Sequence, residues 1–162
     1  VTIGQGDLLV TPIQILNYIS AIANGGKIYK PRIMQSILDE NNQVILQSEP
    51  SILKDLGAEI QSYLPDVKKG MRDAVNESYG TAHYLANLPL QVAAKTGSAQ
   101  VENNKKLNAF FVGYAPYENP EIAILVLVED AKEGSLNTVP VARDIFMWYY
   151  QNRIKDKKTS SN

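Results

Sequence analysis

Seven apolar residues stand in an unbroken row in the last third of the chain, Ile122-Ala123-Ile124-Leu125-Val126-Leu127-Val128. A strand of this kind has no polar face to turn to water, so both of its sides must be covered. That requirement calls for a sheet with packed layers on it. The segment 137–153 supplies a covering helix, with Val141, Ile145, Trp148 and Tyr149 on one predicted face. Hydrophobic residues make up 44% of the 162, enough for a core in one domain or in part of one.

Two further strands are predicted beside Glu121–Glu129, over Gln91–Thr96 and Asn108–Tyr114. The connection from Ala115 to Pro120 is short enough for antiparallel pairing of the last two. Upstream, 1–10 is a Gly-containing loop. Thr11-Pro12 opens a helix, Thr as N-cap and Pro at the first helical position. Ile13, Leu16, Ile19, Ile22 and Ala23 keep helical period, and Asn24-Gly25-Gly26 stops it. Pro31–Leu38 and Gln43–Gln47 are predicted strands around a turn at 39–42. Ser51–Tyr63 is polar and is predicted to be helical in parts. A second helix is predicted from Leu64-Pro65, with Val67, Met71, Ala74 and Val75 on one face. Tyr79-Gly80-Thr81 ends it, and Thr81-Ala82 begins a short helical turn. The tail 155–162 is charged, then serine-rich. The fold class expected is α+β: an antiparallel sheet covered by helices.

Composition removes several function classes. The net charge is −1, which offers no basic field to a nucleic acid. There is no Cys and a single His, so thiol catalysis, disulfides and a metal site built on several Cys or His are excluded. No apolar stretch reaches the roughly 18–20 residues that cross a bilayer. The chain opens at Val1 without Met, which reads as an entry into the middle of a longer protein.

Lys95-Thr96-Gly97 follows the apolar run Gln91–Ala94 and continues into Ser98-Ala99-Gln100. Alone, a Lys-Thr-Gly triplet is a weak signal. Here it belongs to an ordered series: Ile3-Gly4-Gln5-Gly6, Val10-Thr11-Pro12-Ile13-Gln14, Ala23-Asn24-Gly25-Gly26 with Pro31, Gly70-Met71-Arg72, Gly80-Thr81-Ala82, the Lys95 segment, Phe111-Val112-Gly113-Tyr114-Ala115-Pro116, Pro120-Glu121-Ile122-Ala123 and Pro140-Val141-Ala142-Arg143. In that order the chain resembles the C-terminal part of the transpeptidase domain of class B penicillin-binding proteins, from Val1 to about Asn152. The triplet resembles the third active-site motif shared with serine β-lactamases.

The resemblance implies a partial transpeptidase fold over 1–154 and a peptidoglycan D,D-transpeptidase that forms an acyl-enzyme with a stem peptide ending in D-Ala-D-Ala. It implies β-lactams as substrate mimics, no cofactor and no metal. It places the protein on the outer face of a bacterial cell membrane, anchored by a segment outside this chain. The partners it implies are the stem peptide, the rest of the transpeptidase domain and a cell-wall elongation or division complex. Lys95 would supply a positive charge. Thr96 and Ser98, two apart on a strand, turn their hydroxyls to the same side and together can hold a carboxylate. Gly97 lets a ligand backbone approach an exposed strand edge. By resemblance the Ser98 backbone N–H is one oxyanion donor, and the other comes from the nucleophilic serine.

That nucleophile, expected in a Ser-x-x-Lys helical turn, is missing here. Ser51-Ile52-Leu53-Lys54 fits the pattern but follows Pro50 in a connecting segment, and reads as the N-cap of a short helix. Ser160-Ser161-Asn162 matches Ser-x-Asn on the wrong side of the triplet. The chain alone is therefore expected to be inactive. Three other readings stay open: a β-lactam sensor, a non-catalytic structural or partner-binding module, and a serine β-lactamase. Gln100 and Asn108 read as exposed loop residues, His83 as structural, Tyr114 and Tyr117 as packing. Ile3-Gly4-Gln5-Gly6 lacks the strand and the Lys-Ser/Thr ending of a phosphate loop.

Overall fold

The computed structural model describes residues 8–101, 105–132 and 134–155. Helix α1 spans Pro12–Ala23. Pro12 sits at its start, where a missing N–H costs little. The Gln14 side-chain oxygen accepts from the Thr11 backbone N–H at 2.8 Å and from its hydroxyl at 3.0 Å. Gly25 and Gly26, with φ of 89° and 102°, turn the chain out of the helix as predicted.

Strand β1 (Lys27–Tyr29) follows, then a hairpin of β2 (Ser36–Leu38) and β3 (Val44–Gln47). Asp39 builds the turn: its Oδ1 accepts from the N–H groups of Asn41 and Gln43, each at 2.8 Å, and Asn42 takes a left-handed φ of 61°. The first strand is shorter than predicted. Pro31 has no N–H to give a ladder, and Arg32 turns its guanidinium to the Ser48 carbonyl.

The next segment corrects two expectations. Ile52–Asp55 is not helical but a strand, β4, antiparallel to β1. Ser51 is therefore no helix N-cap; its carbonyl accepts from Lys30 N–H at 2.9 Å. The two short strands satisfy backbone groups that each would otherwise leave to water. Helix α2 then runs Gly57–Asn76, starting well before Leu64 and holding Pro65 inside it. Gly57, at φ 77°, makes the break, and Asp55 Oδ1 accepts its N–H at 3.0 Å. Leu64, Met71 and Val75 are buried along α2, whereas Val67 is exposed and lies off the buried stripe.

The three predicted strands form one antiparallel sheet, in the order β5 (Ala93–Val101), β6 (Lys106–Ala115), β7 (Ile122–Val128). Gln100 and Asn108 lie in its strands rather than in a loop. Alternation along the strands divides the core in two. Ala93, Val112 and Tyr114 pack with Ile19, Ile22 and Ala23 of α1 and Leu64 and Met71 of α2. Ala94, Phe111, Ile124 and Val126 face the opposite way, against helix α3 (Gly134–Tyr149), which ends in a π-helical turn at Tyr150–Ile154. The apolar row of β7 is thus covered from both sides, as its sequence requires.

The buried face of α3 is not the predicted one. Val139, Ala142 and Phe146 point inward, with Phe146 edge-on to Phe111 at 6.3 Å. Val141, Ile145 and Trp148 are exposed. Both stripes are apolar, so hydropathy alone does not choose between them; the sheet takes the stripe that carries Phe146 and small Ala142.

Candidate functional site

Lys95-Thr96-Gly97 lies within β5, not at its end, and β5 is an edge strand with β6 as its sheet neighbour. On such a strand every second residue turns its N–H and C=O away from the sheet, available to an added chain. Lys95 to Ser98 stand opposite Val112 to Ala109. Lys95 and Gly97 fall on the α1/α2 side of the sheet, and Thr96 and Ser98 on the α3 side.

Each predicted site residue has a definite setting. Lys95 is exposed, and its ammonium donates to the Thr96 carbonyl on its own strand. Thr96 is buried at 8% exposure, and its hydroxyl donates to Thr81 Oγ1 at 2.7 Å. Ser98 is exposed, with its hydroxyl beside the first residue of α3: a Cβ on Gly134 would lie 2.7 Å from Ser98 Oγ. Gly97 has ample room. An added Cβ there would meet only Phe110 Cβ at 3.8 Å, an ordinary contact, and no left-handed φ demands glycine. Nothing among its described neighbours forbids a side chain at this position.

Thr81 and Gly134 were not singled out by chemistry in the sequence, although Gly80-Thr81-Ala82 is part of the family series. The structure explains that triplet. Gly80 is pressed on the end of α2, where a Cβ would come within 2.3 Å of Ala74 O. Ala82 is fully buried and its N–H donates to that same carbonyl at 3.0 Å. His83 N–H donates to Gly80 O at 3.1 Å, and its Nδ1 lies 3.1 Å from Val75 O. His83 is exposed and closes the turn with these contacts. Between these fixed points Thr81 is held against Thr96. An apolar depression of about 210 Å³ adjoins it, lined by Thr81, Tyr84, Leu136, Val139 and Pro140.

Ser51 and Lys54 do not form a nucleophile–base pair. They sit three apart in and beside an extended strand, which sets their backbones roughly 10 Å apart. A Ser-x-x-Lys pair needs a helical turn to bring its ends together. The Ile3–Gly6 and Ser160–Asn162 motifs lie outside the described residues. Tyr114 and Tyr117 stack at 6.4 Å as packing residues, with the Arg72 guanidinium 5.8 Å from the Tyr117 ring. Among the described residues no group of His, Asp and Glu converges as metal ligands, and no helix is long and apolar enough to cross a membrane.

An antiparallel sheet between helices, with Lys-Thr-Gly on its edge strand, agrees with the transpeptidase class. The chain belongs to the family described as the penicillin binding protein transpeptidase domain, whose model matches residues 1–147. It is 32% identical over 169 residues to the peptidoglycan D,D-transpeptidase MrdA of Haemophilus influenzae, covering 95% of this chain and 26% of that protein. It is 32% identical to penicillin-binding protein 2A of Bacillus subtilis, covering 96% of this chain and 24% of the relative. Penicillin-binding protein PBP2 of Helicobacter pylori, solved in complex with MreC, superposes with a TM-score of 0.73 at 29% identity, over 93% of this chain and 27% of that one. The chain thus spans about a quarter of the length of these relatives.

Proposed function

We propose that residues 1–154 form the C-terminal part of a serine-type peptidoglycan D,D-transpeptidase domain, with 155–162 a tail outside it. This part carries the carboxylate-binding edge, and the nucleophile is supplied by the rest of the domain. The observation that carries the reading is the edge strand itself: Lys95, Thr96 and Ser98 stand together on β5, which has no strand beyond it among the described residues, and Gly97 between them puts no side chain in the way of a ligand.

The ligand is a stem peptide ending in D-Ala-D-Ala, or a β-lactam in its place. Its backbone adds alongside β5. Its carboxylate draws the Thr96 and Ser98 hydroxyls and the Lys95 charge, so Lys95 exchanges the Thr96 carbonyl for the anion. A serine outside this chain attacks the carbonyl carbon, and the Ser98 N–H stabilises the oxyanion. Loss of one such donor typically costs on the order of 100–1,000-fold in rate. The resulting acyl-enzyme passes to the amine of a second stem peptide. The whole protein works at the outer face of the cell membrane, held by an anchor outside this chain. It acts in a cell-wall complex, with a MreC-like protein as candidate partner.

Labelling with a fluorescent penicillin tests this. The chain alone should not be labelled; labelling should appear when the nucleophile-bearing part is supplied, and should slow greatly in Lys95→Ala. Stoichiometric labelling of the chain alone, lost on Ser51→Ala, would overturn the half-site reading. Normal acylation of Lys95→Ala would remove the role of the triplet.

A further inference from the structure

We infer that Thr81 is a positioning residue for the carboxylate site, acting through Thr96; this rests on the transpeptidase reading above. Thr96 is nearly buried, and a buried hydroxyl without a partner is costly. The 2.7 Å bond to Thr81 Oγ1 supplies that partner. A hydroxyl that spends its proton on Thr81 cannot also give it to a carboxylate. Both groups are threonines, however, and each hydroxyl can donate or accept. When an anion arrives, Thr96 O–H turns to it and Thr81 O–H turns to donate to Thr96 Oγ1. No bond but the hydrogen bond changes, and no proton leaves either oxygen. The Thr96 oxygen stays satisfied in both states, and as an acceptor from Thr81 it becomes a stronger donor to the ligand.

The surroundings of Thr81 are built for this. Gly80, Ala82 and His83 fix the backbone on either side of it to the end of α2, through Ala74 O, Gly80 O and Val75 O. Thr81 itself is exposed, and its hydroxyl proton can turn about the C–O bond without moving the oxygen. A valine of the same shape would keep the packing and lose the donor.

The test uses the intact transpeptidase domain carrying this chain, with Thr81→Val and Thr81→Ser. Acylation rates are read with benzylpenicillin, which bears the carboxylate, and with its methyl ester, which does not. Thr81→Val should acylate with benzylpenicillin about tenfold more slowly, the scale of one hydrogen bond to a charged group. Its rate with the ester should not change, and Thr81→Ser should stay within about twofold of wild type on both. Wild-type rates with benzylpenicillin in Thr81→Val would overturn the inference. So would an equal loss on both ligands, with or without a lowered melting temperature, since that marks a purely structural role. If the unsubstituted domain is not acylated at all, the transpeptidase reading itself falls. That result is distinct from a Thr81 variant matching an active wild type.

Discussion

Gly97 separates folding from binding at a single position. Because an added Cβ meets only an ordinary contact, Gly97→Ala should fold with unchanged or slightly higher stability, since glycine weakens a strand. On the transpeptidase reading proposed above, the same methyl group stands on the α1/α2 face of β5 where the ligand passes over Gly97, so acylation of the intact domain by penicillin should fall at least tenfold. Urea denaturation and acylation kinetics on one preparation check both halves. Gly134 is the converse. Gly134→Ala drives a methyl into Ser98 Oγ, and the serine hydroxyl must leave its rotamer. Tyr114 gives a third expectation. Its hydroxyl is buried with no described protein partner, and burial raises its pKa well above the usual tyrosine range, with Tyr117 and Glu118 adding to the rise. The neutral phenol is therefore favoured in the fold, and stability from this group is complete below pH 10 and lost as the pH climbs beyond it. Tyr114→Phe should leave stability at pH 7 unchanged or raise it by up to about 1–2 kcal/mol. It should also flatten the alkaline fall expected in thermal melts above about pH 10.

At the scale of elements, α3 shows where sequence reasoning succeeds and where it stops. The helix itself was legible from its period, and so was the sheet it covers, because β7 leaves no polar face. Its buried side was not legible. Val141, Ile145 and Trp148 keep helical period just as Val139, Ala142 and Phe146 do, and only the partner surface, centred on Phe111, decides. Phe146→Ala should therefore cost about 3–5 kcal/mol in denaturant unfolding, and Trp148→Ala less than about 1 kcal/mol. β4 was missed for a related reason. A four-residue strand has too little period to announce itself, and it forms only because β1 lies opposite. At the site, Lys95, Thr96, Gly97 and Ser98 were legible as a motif. Thr81 was not, because its contact with Thr96 spans 15 residues and depends on how Gly80 docks on α2.

Across the whole molecule, apolar surface lies exposed in places the sequence did not suggest. Exposed large apolar side chains include Ile37, Leu38, Val44, Ile45 and Leu46 on the β2–β3 hairpin, Ile60 and Tyr63 on α2, and the outer stripe of α3. The isolated chain should therefore associate as its concentration rises, with the hairpin as the contact. Sedimentation velocity over a hundredfold dilution should show this, and Ile45→Lys with Leu46→Lys should shift the population toward monomer. The free edge of β5 has one more consequence. An edge strand can accept an extended peptide, including the same strand of a neighbouring molecule, and a bare edge can seed fibrils. Exposed Lys95 stands on that edge as a gatekeeper: its charge repels its own copy and, on the reading proposed above, draws an anion.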